Sequence, residues 1–502
     1  MSSTPKTAAP GFVRPSLLRI AAVGLVLAYA LAFQGARGIW EPDEGRYTDI
    51  ATQMLRSGDF VTPAFNDEVP HFAKPPLVYW VIAGSVSVVG WNEWGARLPN
   101  ALAFAVTILV VGALGRRVLP ARPWLPAVVY ATFLLPYVAA NAVTTDTLLT
   151  MWETLAVLCF VLWWERRDGP CWRPPLFAMW LCFALAFLTK GPPGLLPLLA
   201  VLTFVALKGG WRTLARLVCL GGIAVFAVVG LGWYVFVALV HPGLLTYFLH
   251  DEIVSRVATT THHRNSQWYG ALRVYGPTLL LGSLPWTWPL LRGLGRARRT
   301  VLSRSWWRGT LSIDPWVAFL ALWVLLPLAV FALSLSRLPL YALPLFAPLA
   351  LIVARLLRSA PDRRLRVALV AAWAVLLVGV RWAAASFPTD NDSRTLAREI
   401  ATLVPERPHE VVFVDSEAVW GIAIYLRGTQ VENVFTGTPP PGSGFVRRDR
   451  LTLAEELAER ESGMILLASA AGLPTVRSEL DRAGRRYREL GPLRRWTALA
   501  VE

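Results

Sequence analysis

Charged residues make up only 16% of this 502-residue chain, against about 25% in soluble domains. That shortage argues against a soluble globular protein. Cysteine is also rare. Cys159, Cys171, Cys182 and Cys219 fall in apolar runs or in the loops between them. They supply neither a disulfide framework nor a Cys-x-x-Cys metal site. Lysine is scarcer than the charge would suggest. Lys and Arg total 49, yet the lysines are Lys6, Lys74, Lys190 and Lys208 alone. No internal repeat is evident. No small-residue cleavage site follows the first apolar run, which reads as an uncleaved anchor.

What is abundant is hydrophobic sequence, 55% of the chain. It is gathered in runs of about 20 residues, the length needed to cross a hydrocarbon core. The fold expected is an α-helical polytopic membrane protein. Eleven spans are expected, near 17–35, 97–115, 123–141, 146–165, 175–189, 191–207, 217–239, 274–291, 314–334, 341–357 and 367–385. Splitting apolar runs would raise the count to as many as 13. Loops after even-numbered spans are basic, as in "GRRVLPARP" and "RGLGRARRTVLSRSWWRG". Loops after odd-numbered spans carry Asp43, Glu44, Asp59, Asp67, Asp251 and Glu252. By the positive-inside rule the N-terminus is inside and the C-terminus outside. The same pattern accounts for the net charge of +16 without a nucleic-acid partner.

Three regions follow. Residues 1–16 form a cytoplasmic tail, 17–386 a transmembrane domain, and 387–502 a small α/β domain on the outside face. Two outside segments, 36–96 and 241–273, are too long to be simple connectors. In the first, Tyr47, Ile50, Ala51, Met54 and Leu55 have helical spacing. An amphipathic helix on the membrane surface is expected there, with a second helix through "PPLVYWVIAGSVSVVG". In the C-terminal region "EVVFVDS", "QVENVF" and "GMILLAS" read as strands. "LTLAEELAER" and "TVRSELDRAG" read as helices. This domain has no glycine-rich phosphate loop, so the chemistry is not assigned to it.

The candidates for chemistry lie in the outside loops and at span ends. In "EPDEGRY", Asp43 and Glu44 start a helix, where a capping role would account for them and is compatible with catalysis. Asp146 in "TTDTLLTMWE" sits at the end of the fourth span. Glu153 follows two turns later on the same face. Carboxylates in such places usually face a bundle interior or cavity, although capping or a bond between spans would also account for them. Lys74 and Lys190 are compact charges suited to a phosphate or a leaving group; snorkelling is the plainer account of Lys190. In "SLSRLPLYALP", Arg337 could grip a phosphate bidentately, or form an interfacial anchor with Tyr341. The histidines fall on the outside face, and no ligand spacing among them is diagnostic. Together these groups suit an anionic lipid-linked substrate whose leaving group stays in the bilayer.

"EPDEGRY", "KPPLVYW", "TTDTLL", "FLTKGPPG" and "SRLPLYALP", in this order and with an outside C-terminal domain, resemble the GT-C superfamily of membrane glycosyltransferases. The nearest resemblance is to the bacterial transferases that move 4-amino-4-deoxy-L-arabinose from undecaprenyl phosphate to lipid A. Protein O-mannosyltransferases are more distant. The resemblance implies a polyprenyl-phosphate sugar donor and an envelope lipid, glycan or protein acceptor. It implies Asp43 and Asp146 as the catalytic carboxylates. Glu44, Arg46, Tyr47, Lys74, Lys190, Arg256, Arg337 and Tyr341 would contact substrate. Where the family has an aromatic-Phe-Glu-Lys sequence, this chain has His71-Phe72-Ala73-Lys74. The glutamate that the family links to a metal is therefore an alanine. No cofactor is assigned. A divalent metal would have to draw on His71, His262 and His263, and activity is expected to survive chelation. The localisation implied is the bacterial inner membrane. A transporter or flippase of a lipid-linked or anionic solute is the main rival, and an envelope assembly protein that displays the C-terminal domain is a second.

Overall fold

The computed structural model describes residues 15–66, 70–167, 173–250, 265–297, 303–358, 363–387, 389–404, 406–438, 445, 451–459 and 463–502. Asp67, Cys171, Asp251, Glu252, Arg256, His262 and His263 lie outside these. Helices dominate. Among the described residues seven are long and apolar enough to cross a membrane: Glu93–Val118, Thr145–Trp164, Pro192–Leu217, Leu220–Val240, Pro315–Leu333, Pro339–Leu356 and Val367–Ser386. Leu17–Leu31 and Pro174–Lys190 are apolar but shorter. The expected spans at 123–141 and 274–291 are each two helices. The first breaks at Phe133, whose φ/ψ of −64°/135° is extended. The second breaks between Gly282 and Thr287. The chain is a multi-pass membrane protein.

The first loop forms two helices, α2 (Asp43–Ser57) and α3 (Leu77–Val89). The expectation that α2 lies on the membrane surface is corrected by the packing. Its apolar stripe of Ile50, Ala51 and Met54 is buried against Val78, Ile82, Ile400, Trp420 and Ile422. Protein, not lipid, covers that face, because the C-terminal domain is docked on it.

That domain contains a five-stranded sheet of order β2-β1-β3-β5-β4. Its strands are β1 (Glu410–Val414), β2 (Gln430–Val434), β3 (Met464–Ser469), β4 (Tyr487–Leu493) and β5 (Trp496–Val501). β1 runs parallel to β2 and β3, whereas β5 is antiparallel to β3 and β4. Strand alternation sends Val411, Phe413 and Ile465 toward α2. It sends Val412, Val414 and Leu466 under the helices Leu453–Ala458 and Leu473–Arg482.

The domain also clamps the chain just before α2. Trp40 bridges Asp392, and the Ser393 amide donates to Ile39 O at 3.0 Å. Glu41 Oε1 accepts from the Gly421 amide at 2.6 Å and the Ser393 hydroxyl at 2.9 Å. Burial pushes the Glu41 carboxyl up to about 8, only partly opposed by the bonds from Gly421 and Ser393. The native clamp therefore holds a proton, between about pH 4.5 and 8, that an unfolded chain would have lost. Stability should fall as pH rises through that window and level off above it. Glu41→Gln keeps the acceptor oxygen and removes the titration. Thermal unfolding of the full chain in detergent is expected to show a flatter decline from pH 5 to 8 in this variant. Its Tm at pH 8 should be a few degrees higher than that of the parent.

Candidate active site

The site is assembled from helix ends. Asp146 opens α7 (Thr145–Trp164), and Lys190 closes α8 (Pro174–Lys190). Gly191, at φ 75°, turns the chain after Lys190. The side chains meet in a buried Asp146–Lys190 ion pair. The Tyr341 ring lies 4.5 Å from Lys190 Nζ, within range of a cation–π contact. Asp146 does not cap α7, since the N-cap is Thr144. Lys190 is held by the carboxylate and the ring rather than snorkelling to an interface.

A cavity of about 360 Å³ opens beside this pair, with Lys74, Asp146, Glu153, Lys190 and Tyr341 in its wall. Asp146, Lys190 and Tyr341 sit at helix ends, and Lys74 comes from the first loop. Leu231, Trp323 and Pro327, from the middles of their spans, line the rest. The cavity is thus charged at one end and largely apolar along its depth, where Glu153 is the polar exception. Glu153 sits about 10 Å along α7 from Asp146, at 1.5 Å per residue. Lys74 Nζ donates to Ala73 O at 2.6 Å. Ala73 also lines the cavity. Its methyl offers no ligand atom where the resemblance places a glutamate, so the residues here do not suit a metal. Among the described residues the one group with metal-ligand proximity is Glu410, Glu432 and Glu456. It belongs to the C-terminal domain, and none of the three lines the cavity.

The first-loop residues divide. Asp43 is exposed, ion-paired with Arg46 and about one helical turn from Tyr47. It is the first helical residue and makes no capping bond, since Pro42 is the N-cap. Tyr47 reaches inward to hydrogen-bond Thr145, next to Asp146. Burial, then the negative charge of Asp43, raises its hydroxyl pKa. Tyr47 thus lies between Asp43 and Asp146, although neither Asp43 nor Tyr47 lines the cavity.

Glu44 is different, and its assignment as a substrate contact is corrected. Arg37 Nη1 lies 2.6 Å from its Oε2, Arg97 Nη2 2.8 Å from the same oxygen, and Arg97 Nε 3.0 Å from Oε1. Arg37 Nη2, 3.1 Å from Oε1, and the amides of Trp40 and Val143, at 2.9 and 3.0 Å, complete the set. Burial opposes ionisation, but Arg97 and Arg37 hold the carboxyl well below the usual range. With every acceptor site used inside the protein, Glu44 fastens the first loop to α4 (Glu93–Val118) and to the entry of α7. Arg37 and Arg97 were not singled out in the sequence. Arg97 had a signal, being a charge at the start of a span, where such groups face inward.

Arg337 is the second correction. Its Nη1 donates to Asn265 O at 2.7 Å and Gln267 O at 3.0 Å, and Nη2 to Ala332 O at 3.0 Å. It is buried and does not line the cavity. It pins the end of the second long loop rather than gripping a phosphate. The remaining metal candidate, His71, packs edge-on against Phe65 at 4.6 Å.

An array of spans around a cavity charged at one end, with a small α/β domain docked on the loops at that end, defines a polytopic membrane protein of the GT-C fold. The same fold occurs in ArnT from Cupriavidus metallidurans bound to undecaprenyl phosphate. The TM-score is 0.73 at 21% identity, covering 96% of this chain and 97% of that one. The sequence pattern described as Dolichyl-phosphate-mannose-protein mannosyltransferase matches residues 73–236.

The chain belongs to the family of undecaprenyl phosphate-alpha-4-amino-4-deoxy-L-arabinose arabinosyl transferases. The Enterobacter sp. member is 30% identical over 90% of this chain and 81% of its own length. The Edwardsiella ictaluri member is 33% identical over 66% of this chain, and the chain spans 58% of that relative's length.

Proposed function

We propose that the protein is an inner-membrane glycosyltransferase that moves a sugar from a polyprenyl phosphate to an envelope acceptor, with a lipid A-like glycolipid as the favoured acceptor. The observation that carries this reading is the cavity. Cations at its rim suit a lipid phosphate, and its apolar depth suits the isoprenoid chain. The family's named donor, an undecaprenyl phosphate sugar, has both parts.

In this reading the bond between the anomeric carbon and the phosphate oxygen breaks, and an acceptor oxygen bonds to that carbon. The electron pair leaves with the phosphate. Lys74 stabilises the charge developing there, the kind of preorganised electrostatic help that dominates many rate enhancements. Lys190, neutralised by Asp146, acts with Tyr341 as a fixed wall. Asp43 takes the proton of a hydroxyl acceptor; an acceptor phosphate is already ionised and would need positioning rather than a base. No step is routed through a metal. Lys74, Asp146, Asp43 and the C-terminal domain share one face, which we assign to the periplasm, with the N-terminus in the cytoplasm. Protease added to intact spheroplasts is expected to remove residues 387–502; full protection would reverse this orientation.

The activity is tested with purified protein in liposomes holding a radiolabelled polyprenyl-phosphate sugar and lipid A. Label appearing on lipid A supports the transferase reading. Label that changes leaflet without changing carrier would replace it with the flippase reading.

A further inference from the structure

The turn that carries Lys74 is seated partly by the C-terminal domain. Phe72, two residues before Lys74, is 1% exposed and lines the cavity. Its amide donates to the carbonyl oxygen of Phe445 at 2.8 Å. The two rings meet edge-on, their centroids 6.5 Å apart. The Phe445 ring also lies 5.8 Å from Tyr247. Its far edge faces Gly243, where an added Cβ would sit 3.6 Å from it. On its other sides Phe72 touches His241 at 5.1 Å, Trp233 at 6.1 Å and Phe248 at 6.3 Å. The resulting cluster also takes in Leu188, two residues from Lys190.

A residue from the C-terminal domain therefore closes an aromatic cage around the anchor of the Lys74 turn. The cage fixes that turn from two directions. The backbone bond sets its height, and ring packing sets the orientation of Phe72. Lys74 itself has a long flexible stem, so the position of its ammonium depends on where its backbone is held.

We propose that Phe445 is a positioning residue for the lipid-phosphate site and acts through Lys74. This rests on the reading of Lys74 as the phosphate-facing cation. Small displacements of such a group are expensive, since about 1 Å can cost as much as 10²-fold in rate. The probe is undecaprenyl phosphate itself, titrated onto the full-length protein in nanodiscs, so sugar transfer is not needed for the result. Phe445→Ala is expected to weaken binding about tenfold, the scale of one weakened hydrogen bond to a charged group, with the chain still folded at the assay temperature.

Phe445→Tyr, which keeps the ring, should bind within about twofold of the parent, a small part of the same cost. In a Lys74→Ala background the Phe445→Ala loss should disappear, because residues that act through one group are not additive. Equal binding by parent and Phe445→Ala would overturn the proposal. So would an undiminished loss in the Lys74→Ala background, which would mark a general structural role. If Phe445→Ala fails to fold, Phe445→Leu keeps the apolar volume without the ring, and the same comparison with and without Lys74 decides. A parent protein that binds undecaprenyl phosphate but transfers no sugar would refute the transferase reading and leave this test intact.

Discussion

Asparagine in place of Asp43 is expected to lower sugar transfer to a hydroxyl acceptor by about 10²–10⁴-fold, the usual contribution of a positioned general base. The fold should not notice. Asp43 is exposed, and its partner Arg46 is more than a third exposed as well. Pairs of that kind contribute only about 0–1 kcal/mol. The residue beside it should behave in the opposite way. Glu44→Gln leaves Arg37 and Arg97 buried around a neutral group. Breaking a buried ion cluster on one side costs about 3–5 kcal/mol, a large part of the stability of many domains. Measuring Tm and turnover for the two variants separates chemistry from scaffolding within one helical turn. An Asp43→Asn protein that melts early would show that the exposure argument fails.

Lys74→Ala is expected to weaken donor binding and to lower kcat by about 10²–10³-fold, the scale seen when one preorganised donor to a developing anion is lost. Its stability should change little, because the side chain is half-buried at a cavity wall. Lys190→Ala should also abolish transfer, but through the fold. It strands the buried carboxylate of Asp146. Steady-state kinetics with the donor varied, run beside thermal melts, distinguishes the two lysines. A Lys74→Ala protein with parental KM and kcat would move the phosphate elsewhere in the cavity.

Much of this was legible in the sequence because the bilayer imposes length and polarity. Apolar runs gave the helices, although periodicity could not show that α2 would pack on protein. Hydropathy supplies the amphipathic face and not its partner. Lys74 and Lys190 stood out through the scarcity of lysine, and both line the cavity. The buried Arg37–Glu44–Arg97 cluster was hidden because Arg97 lies 53 residues from Glu44, and only tertiary packing brings them together. Arg337 misled for a related reason. An arginine at a span end suits a phosphate and a ring of backbone carbonyls equally well, and the choice depends on where 265–267 folds back. The β4–β5 hairpin was missed because its turn uses Arg494 at φ 54°. Two-residue hairpins are usually signalled by Asn-Gly or Asp-Gly. β4 itself is an edge strand with Gly491 and Pro492 inside it, which blunts the strand pattern.

The most direct test of the central claim is a single-turnover experiment on the parent and Asp43→Asn proteins in liposomes. Each is loaded with a labelled undecaprenyl phosphate sugar and then given an excess of acceptor. The account predicts equal donor binding by the two proteins, rapid appearance of labelled acceptor with the parent, and a rate about 10²–10⁴-fold lower with the variant if the acceptor is a hydroxyl. Near-parental transfer by Asp43→Asn to a hydroxyl acceptor would contradict it and leave Asp43 no more than the partner of Arg46.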